Sequence, residues 1–291
     1  VIQNKPEKTK NQKLKAIELF AGAGGMALGL QQAGIDVVAA VELDKGCCAT
    51  LKANKNHAFP KMKIIQEDIT ALSGKTLLRR VGLTKGQLDV LSGGPPCQGF
   101  SSASSTRSTR DPRSKMMWQF VRMVAEIQPK YFIIENVRGL LSFKNFFRLL
   151  LTALEKCGYV VRFNLLDAVN YGVPQRRLRV FIEGARNDLN IVPTFPSPTH
   201  FDIDKKPKRE FMPAPLVAQK CFAAHGFARG EVEDTWFNPK LEIMMNRKTA
   251  AEKIDLAVKQ ILLECLLTSP LCSPKGFSPV DRHYGSVGVR R

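Results

Sequence analysis

Ile17-Glu18-Leu19-Phe20-Ala21-Gly22-Ala23-Gly24-Gly25-Met26 joins an apolar run to a glycine turn, and helical periodicity follows as far as Gly34. A strand, a tight turn and a helix in that order form the opening unit of an open α/β sheet. Glycine is suited to the turn because it lets the backbone reverse sharply and approach a ligand closely. Such sheets bind ligands outside the carboxyl ends of their strands. Alone, this stretch reads equally well as a tight turn with no ligand.

The same pattern recurs downstream. Residues 36–41 form a second expected strand ending in Glu42, and 63–66 a third ending near Asp68. Residues 88–92 form a fourth, running into Gly93-Gly94-Pro95-Pro96-Cys97, and 131–134 a fifth, ending at Glu135-Asn136-Val137. Helical periodicity fills 45–55, 116–127 and 143–157, and further strands are expected at 159–166 and 179–183. Strands alternating with helices predict an α/β fold, a parallel, doubly wound sheet with helices on both faces. After about residue 193 prolines crowd the chain and strand signals fade. Three regions are expected: a flexible basic tail at 1–13, a main domain at 14–200, and a small irregular region at 201–291 that recognises a target or a partner.

With 291 residues and 44% hydrophobic content, the chain can bury a large core. No apolar run approaches the roughly 20 residues of a membrane span, and the basic polar start reads against a secretory signal. Lysine and arginine outnumber acids 44 to 26, a formal charge of +18. That surplus favours a polyanionic partner, which releases counterions when phosphates meet a basic surface; a well-solvated surface is the alternative. The seven cysteines include no CxxC pair, so no metal site is expected. Free thiols would fit a reducing compartment, the cytoplasm of a bacterial or archaeal cell or the nucleus of a eukaryotic one.

Four groups carry chemistry. Glu42 and Asp68 end consecutive strands beside the glycine turn, where one acid can accept from ribose hydroxyls and the other from an adenine amino group. Taken singly, each reads equally as a surface charge. Cys97 follows two prolines that restrict its backbone, and Arg107, Arg110 and Arg113 can favour its thiolate if their loop folds inward. A buried structural cysteine is the alternative. Glu135 ends the fifth strand on the same edge and can exchange a proton with a ring nitrogen, or it can cap a helix. Arg177 and Arg179 alternate on an expected strand, pointing to one face, where they anchor a carboxylate or form a solvated basic edge.

The order Phe-Ala-Gly-x-Gly-Gly, Glu42, Gly-Pro-Pro-Cys-Gln-Gly-Phe-Ser, Glu-Asn-Val and Tyr-Gly-Val-Pro-Gln-Arg-Arg-x-Arg resembles the cytosine-5 DNA methyltransferase family over residues 14–200. The resemblance implies a Rossmann-like sheet and S-adenosylmethionine as methyl donor, leaving S-adenosylhomocysteine. Phe20, Ala21, Gly22, Gly24 and Gly25 would contact that cofactor, with Glu42 and Leu43 at its ribose, Asp68 and Ile69 flanking the adenine, and Pro96 lining the pocket. Cys97 would be the nucleophile, and Glu135 would hold the target ring at N3 and its amino group, supported by Arg177 and Arg179. Gln98 and Ser101 would open a loop that closes over double-stranded DNA, with Arg107, Arg110 and Arg113 beside it.

Two blocks usual in the family are absent after residue 201: Arg-x-Leu-Thr-x-Arg-Glu and Asn-Ala-Val-Pro. A second polypeptide supplying them is the expectation drawn from this, with truncation or an unreadable replacement as alternatives. A tRNA cytosine-5 methyltransferase and a non-catalytic DNA-binding or regulatory subunit are the competing functions.

Overall fold

The computed structural model describes residues 13–96, 115–173 and 175–200. In chain order its elements are β1 (Lys15–Leu19), α1 (Gly25–Gln32), β2 (Asp36–Glu42), α2 (Lys45–Ala58), β3 (Lys63–Gln66) and α3 (Gly74–Arg80). They continue with β4 (Val90–Gly93), α4 (Lys115–Ile127), β5 (Tyr131–Val137), α5 (Lys144–Lys156), β6 (Tyr159–Asp167) and β7 (Leu178–Arg186). The seven strands form one sheet in the order β3-β2-β1-β4-β5-β7-β6.

Helices cover both faces, which is why the strands read as apolar runs rather than as alternating patterns. On one face, Met26, Ala27 and Leu30 of α1 and Leu51 of α2 pack with Ala16, Val37, Ala40 and Ile133. On the other, Leu77, Phe120, Val124 and Leu150 from α3, α4 and α5 pack with Ile17, Leu19, Val41, Leu91 and Phe132. Phe120 and Phe132 are fully buried and meet edge to face at 6.4 Å, a geometry worth about 0.5–1.5 kcal/mol beyond area burial.

Strands β3, β2, β1, β4 and β5 are parallel, as expected. The expectation of an all-parallel sheet fails at β7, which runs antiparallel to both β5 and β6. The cause is the connection. Between β6 and β7 the chain makes a single 3-10 turn over Ala168–Tyr171 rather than a crossover helix, and adjacent strands joined that way must oppose. Helix α3 escaped the sequence pattern because it is only seven residues long. Its start is legible afterwards, since the Ser73 side chain accepts from Thr76 N–H, a helix N-cap.

Cys48 and Cys157 are free thiols, as expected of all seven cysteines, whereas Cys47 is disulfide-bonded. Among the described residues no helix is long and apolar enough to cross a membrane, and no cluster of metal-ligating side chains occurs.

Candidate active site

The chain leaves β1 towards β2 on one side and returns as β4 on the other, so the crevice of an open α/β sheet lies at the carboxyl ends of β1 and β4. Register aligns the ends. Leu19 pairs with both Val41 and Gly93, and Gly93 pairs with Ile134. The residues that follow are therefore neighbours: Phe20 beyond β1, Glu42 at β2, Gly94 beyond β4 and Glu135 on β5. With about 4.8 Å between strands, the edge from β3 to β5 spans roughly 19 Å.

The glycine turn is built by backbone geometry. Phe20 has a left-handed φ of 54°, which costs a side-chain-bearing residue about 1–2 kcal/mol, so strain is stored where the turn begins. Gly24 has φ 93°, and a Cβ there would stand 2.5 Å from Leu51 Cδ2 of α2. Both conformation and packing demand glycine at that position.

Glu42 locks this turn to β2. Its Oε2 accepts Gly22 N–H at 2.7 Å, and its Oε1 accepts the Leu43 and Asp44 N–H groups at 2.7 and 2.8 Å. The carboxylate thus has a fixed position, with acceptor capacity left over, beside a Leu43 side chain that is 62% exposed. Asp68 is exposed past the end of β3. Its Oδ1 accepts both the backbone N–H and the hydroxyl of Thr70, each at 2.8 Å. Those bonds hold the carboxyl below its usual range.

At the β4–β5 end, Glu135 Oε1 lies 2.7 Å from Arg179 Nε. Burial pushes the Glu135 carboxyl up, while Arg179 and then Arg177 pull it down; the net direction is up. Gly94 leaves room for it, since a Cβ there would lie 3.3 Å from Glu135 Oε2. Arg177 does not share a strand with Arg179, as the alternation suggested. β7 begins at Leu178, and the backbone N–H of Arg177 donates to Asp167 Oδ1 at 2.8 Å. The charges of both arginines act on Glu135, and Arg179 also hydrogen-bonds it.

Pro95 is buried and Pro96 exposed at the point where β4 leaves the sheet. The buried side chain of Asn136 donates through Nδ2 to the Pro95 carbonyl at 3.0 Å. Cys97, Gln98, Ser101, Arg107, Arg110 and Arg113 lie outside the described residues, as does the whole 201–291 region.

Two residues escaped sequence reading. Asn136 stood in a quoted motif but was given no role. Glu18, one residue from the turn, is buried on β1 with Oε2 unpartnered. Burial lifts its carboxyl well above the ordinary range, the Ala27 N–H opposes that, and the nearby Glu42 charge adds to it. An acid inside an apolar strand was the available signal.

Comparisons with known proteins show the family of the chain. The model of the C-5 cytosine-specific DNA methylase family matches residues 14–254. Type II methyltransferase M.XorII of Xanthomonas oryzae pv. oryzae is 42% identical over 187 residues, 63% of this chain and 43% of that protein. Type II methyltransferase M.FnuDI of Fusobacterium nucleatum is 41% identical over 180 residues, 61% of this chain and 48% of that protein. Among solved structures, a protein described as a DNA modification methyltransferase from an E. coli prophage superposes with TM-score 0.56 at 29% identity, covering 72% of this chain and 54% of that one. The chain spans about half the length of these relatives.

Proposed function

The chain belongs to the C-5 cytosine-specific DNA methylase family, and from that membership we propose that it transfers a methyl group from S-adenosylmethionine to C5 of cytosine in DNA, with Cys97 as nucleophile. The relatives named as Type II methyltransferases support a modification enzyme of the restriction-modification kind. The observation that carries the reading is the half-buried Glu135 carboxyl, held by Arg179 against Gly94. In the chain, the Pro95-Pro96 segment beside it continues directly as Cys97.

The residues present fit the cofactor. The fixed Glu42 carboxylate suits ribose hydroxyls, exposed Leu43 offers an apolar contact to a flat ring, and exposed Asp68 with buried Ile69 suits the adenine edge. Phe20, Ala21, Gly22, Gly24, Gly25 and Pro96 would complete the cradle. When bound, the cofactor supplies an electrophilic methyl group on a sulfonium.

Cytosine C5 is a poor nucleophile. The Cys97 thiolate forms a bond to C6, and the C5–C6 π electrons move onto C5. Glu135, kept protonated to higher pH by burial, hydrogen-bonds or protonates N3 and stabilises the adduct. C5, so activated, would be ready to take up the methyl group that S-adenosylmethionine, held by Phe20, Glu42 and Asp68, would supply. A base removes the C5 proton, the C5–C6 double bond re-forms and the thiolate leaves. The target atom is inaccessible inside a duplex, so the base must be flipped out. The surplus of 44 basic over 26 acidic residues suits the phosphate contacts this needs, with Gln98, Ser101, Arg107, Arg110 and Arg113 on the DNA side.

The test is trapping on duplex DNA containing 5-fluorocytosine, in the presence of S-adenosylmethionine. A covalent complex with wild type and none with Cys97→Ala is expected, with S-adenosylhomocysteine affinity unchanged. Transfer to tRNA but not to DNA, or methylation by Cys97→Ala, would overturn the reading. Running the assay with this chain alone also tests the second polypeptide: full sequence-specific activity would remove the need for one.

A further inference from the structure

The loop that follows β3 is gripped from outside by α4. Arg122 Nη2 donates to the Ile69 carbonyl at 2.7 Å and to the Leu72 carbonyl at 3.1 Å. Its other nitrogens are anchored on α4, Nη1 to Glu126 Oε1 at 2.8 Å and Nε to Gln119 Oε1 at 2.7 Å. Glu126 reaches back, its Oε2 accepting Gly74 N–H at 2.5 Å. Gly74 lies hard against the helix, where a Cβ would stand 2.8 Å from Glu126 Cβ. Both ends of the segment from Ile69 to Gly74 are thus fastened to α4.

We propose that Arg122 is a positioning residue for the nucleoside end of the cofactor site, acting through the backbone of Ile69 and Leu72. The inference rests on the cofactor reading above and deepens it. Ile69 and Leu72 bury their side chains, at 5% and 2% exposure, and the Ile69 carbonyl that Arg122 holds also accepts Leu72 N–H at 3.3 Å, closing the turn. With those carbonyls turned to the guanidinium, the Asp68 side chain faces outward, where Thr70 fixes it. A planar guanidinium bridges two carbonyls and two side chains at once, while an ammonium is a point charge that cannot hold that fork. Binding groups need such supporting bonds to stay within about 0.5 Å of their working positions.

The experiment measures calorimetric affinity for S-adenosylhomocysteine and for adenosine, together with the KM for S-adenosylmethionine and kcat. Arg122→Met is expected to weaken both ligands by about 10–100-fold, the usual scale for loss of an orienting partner. The KM rises in step while kcat at saturating cofactor holds. Arg122→Lys should fall between. Arg186→Met is the control, because Arg186 holds the Gly86 and Gln128 carbonyls in the same manner at the opposite end of the sheet. It should lose stability and keep affinity. Unchanged affinity in Arg122→Met, or an equal loss in Arg186→Met, overturns the proposal. If Arg122→Met does not fold, full wild-type affinity in Arg122→Lys overturns it instead. Wild type that binds neither ligand would bring down the cofactor reading itself, a result distinct from all of these.

Discussion

Arg179 Nε sits 2.7 Å from Glu135 Oε1, and the two residues come from strands that run in opposite directions. Arg179 is the larger of the two charges that restrain a carboxyl pushed up by burial. Arg179→Met should therefore raise the Glu135 pKa further. If protonated Glu135 assists at N3, the limb of the rate profile that falls with rising pH moves to higher pH in this variant, while the peak rate drops. Glu135→Ala should lower the rate by about 10²–10⁴, the usual contribution of a positioned acid. Single-turnover methyl transfer followed across the neutral range reads both, and an unmoved limb in Arg179→Met would count against the assignment.

Asn136→Ala removes the donor to the buried Pro95 carbonyl. Leaving that acceptor unpaired should cost about 1–3 kcal/mol, read by urea denaturation. The backbone ahead of Cys97 also loses its tether to β5. The rate of covalent trapping should fall while S-adenosylhomocysteine affinity holds, and equal losses in both would show a general collapse rather than a local one.

Glu18 carries a pH signature. Its folded pKa lies well above the ordinary value of 4.5, so between those two pH values the native state keeps a proton that the unfolded chain has lost. Stability from this group is fullest below 4.5 and declines as pH rises towards the folded pKa. Glu18→Gln removes that slope. Its stability relative to wild type should grow from mildly acidic towards neutral pH in denaturation curves; a gap independent of pH would contradict the burial argument.

The two turn glycines should respond differently to alanine. At Gly22 a Cβ meets nothing within 4 Å, and only φ of 54° opposes it, a cost of about 1–2 kcal/mol. At Gly24 the collision with Leu51 adds to φ of 93°, and overpacking contributes about 1–3 kcal/mol more. Leu51→Ala should relieve part of the Gly24→Ala defect and none of the Gly22→Ala defect. Thermal melts of the three single and two double variants test this, and equal rescue of both would refute it.

The first five strands were legible because each is a short apolar run ending in a motif with a chemical reason to be there. The direction of β7 was not legible, since apolar patterning is the same in either sense and only the connection after β6 decides it. Glu18 was passed over because an acid in a strand suggests a wet face, and here helices cover both faces. Asn136 could not be read because its partner, Pro95, is 41 positions away and meets it only through the pairing of β4 with β5. Arg122 is one of 44 basic residues; periodicity marks the helix it stands on but not the carbonyls it meets.

The place of β1 between β2 and β4 has a consequence for how the molecule is made. A chain emerging from the ribosome can pair β1 with β2, and β2 with β3, as soon as residue 66 is available, completing the Glu42 lock on the glycine turn. The other flank of β1 must wait for β4, and the far side of β5 for β7, which ends at Arg186. Because distant pairings carry the larger entropic barrier, the Glu42 half of the crevice can form early and the Glu135 half only late. On the proposed reading, the half that would take the cofactor's nucleoside forms before the half that carries Glu135, and the open edge of β1 is the growing chain's point of exposure to misassembly in that interval.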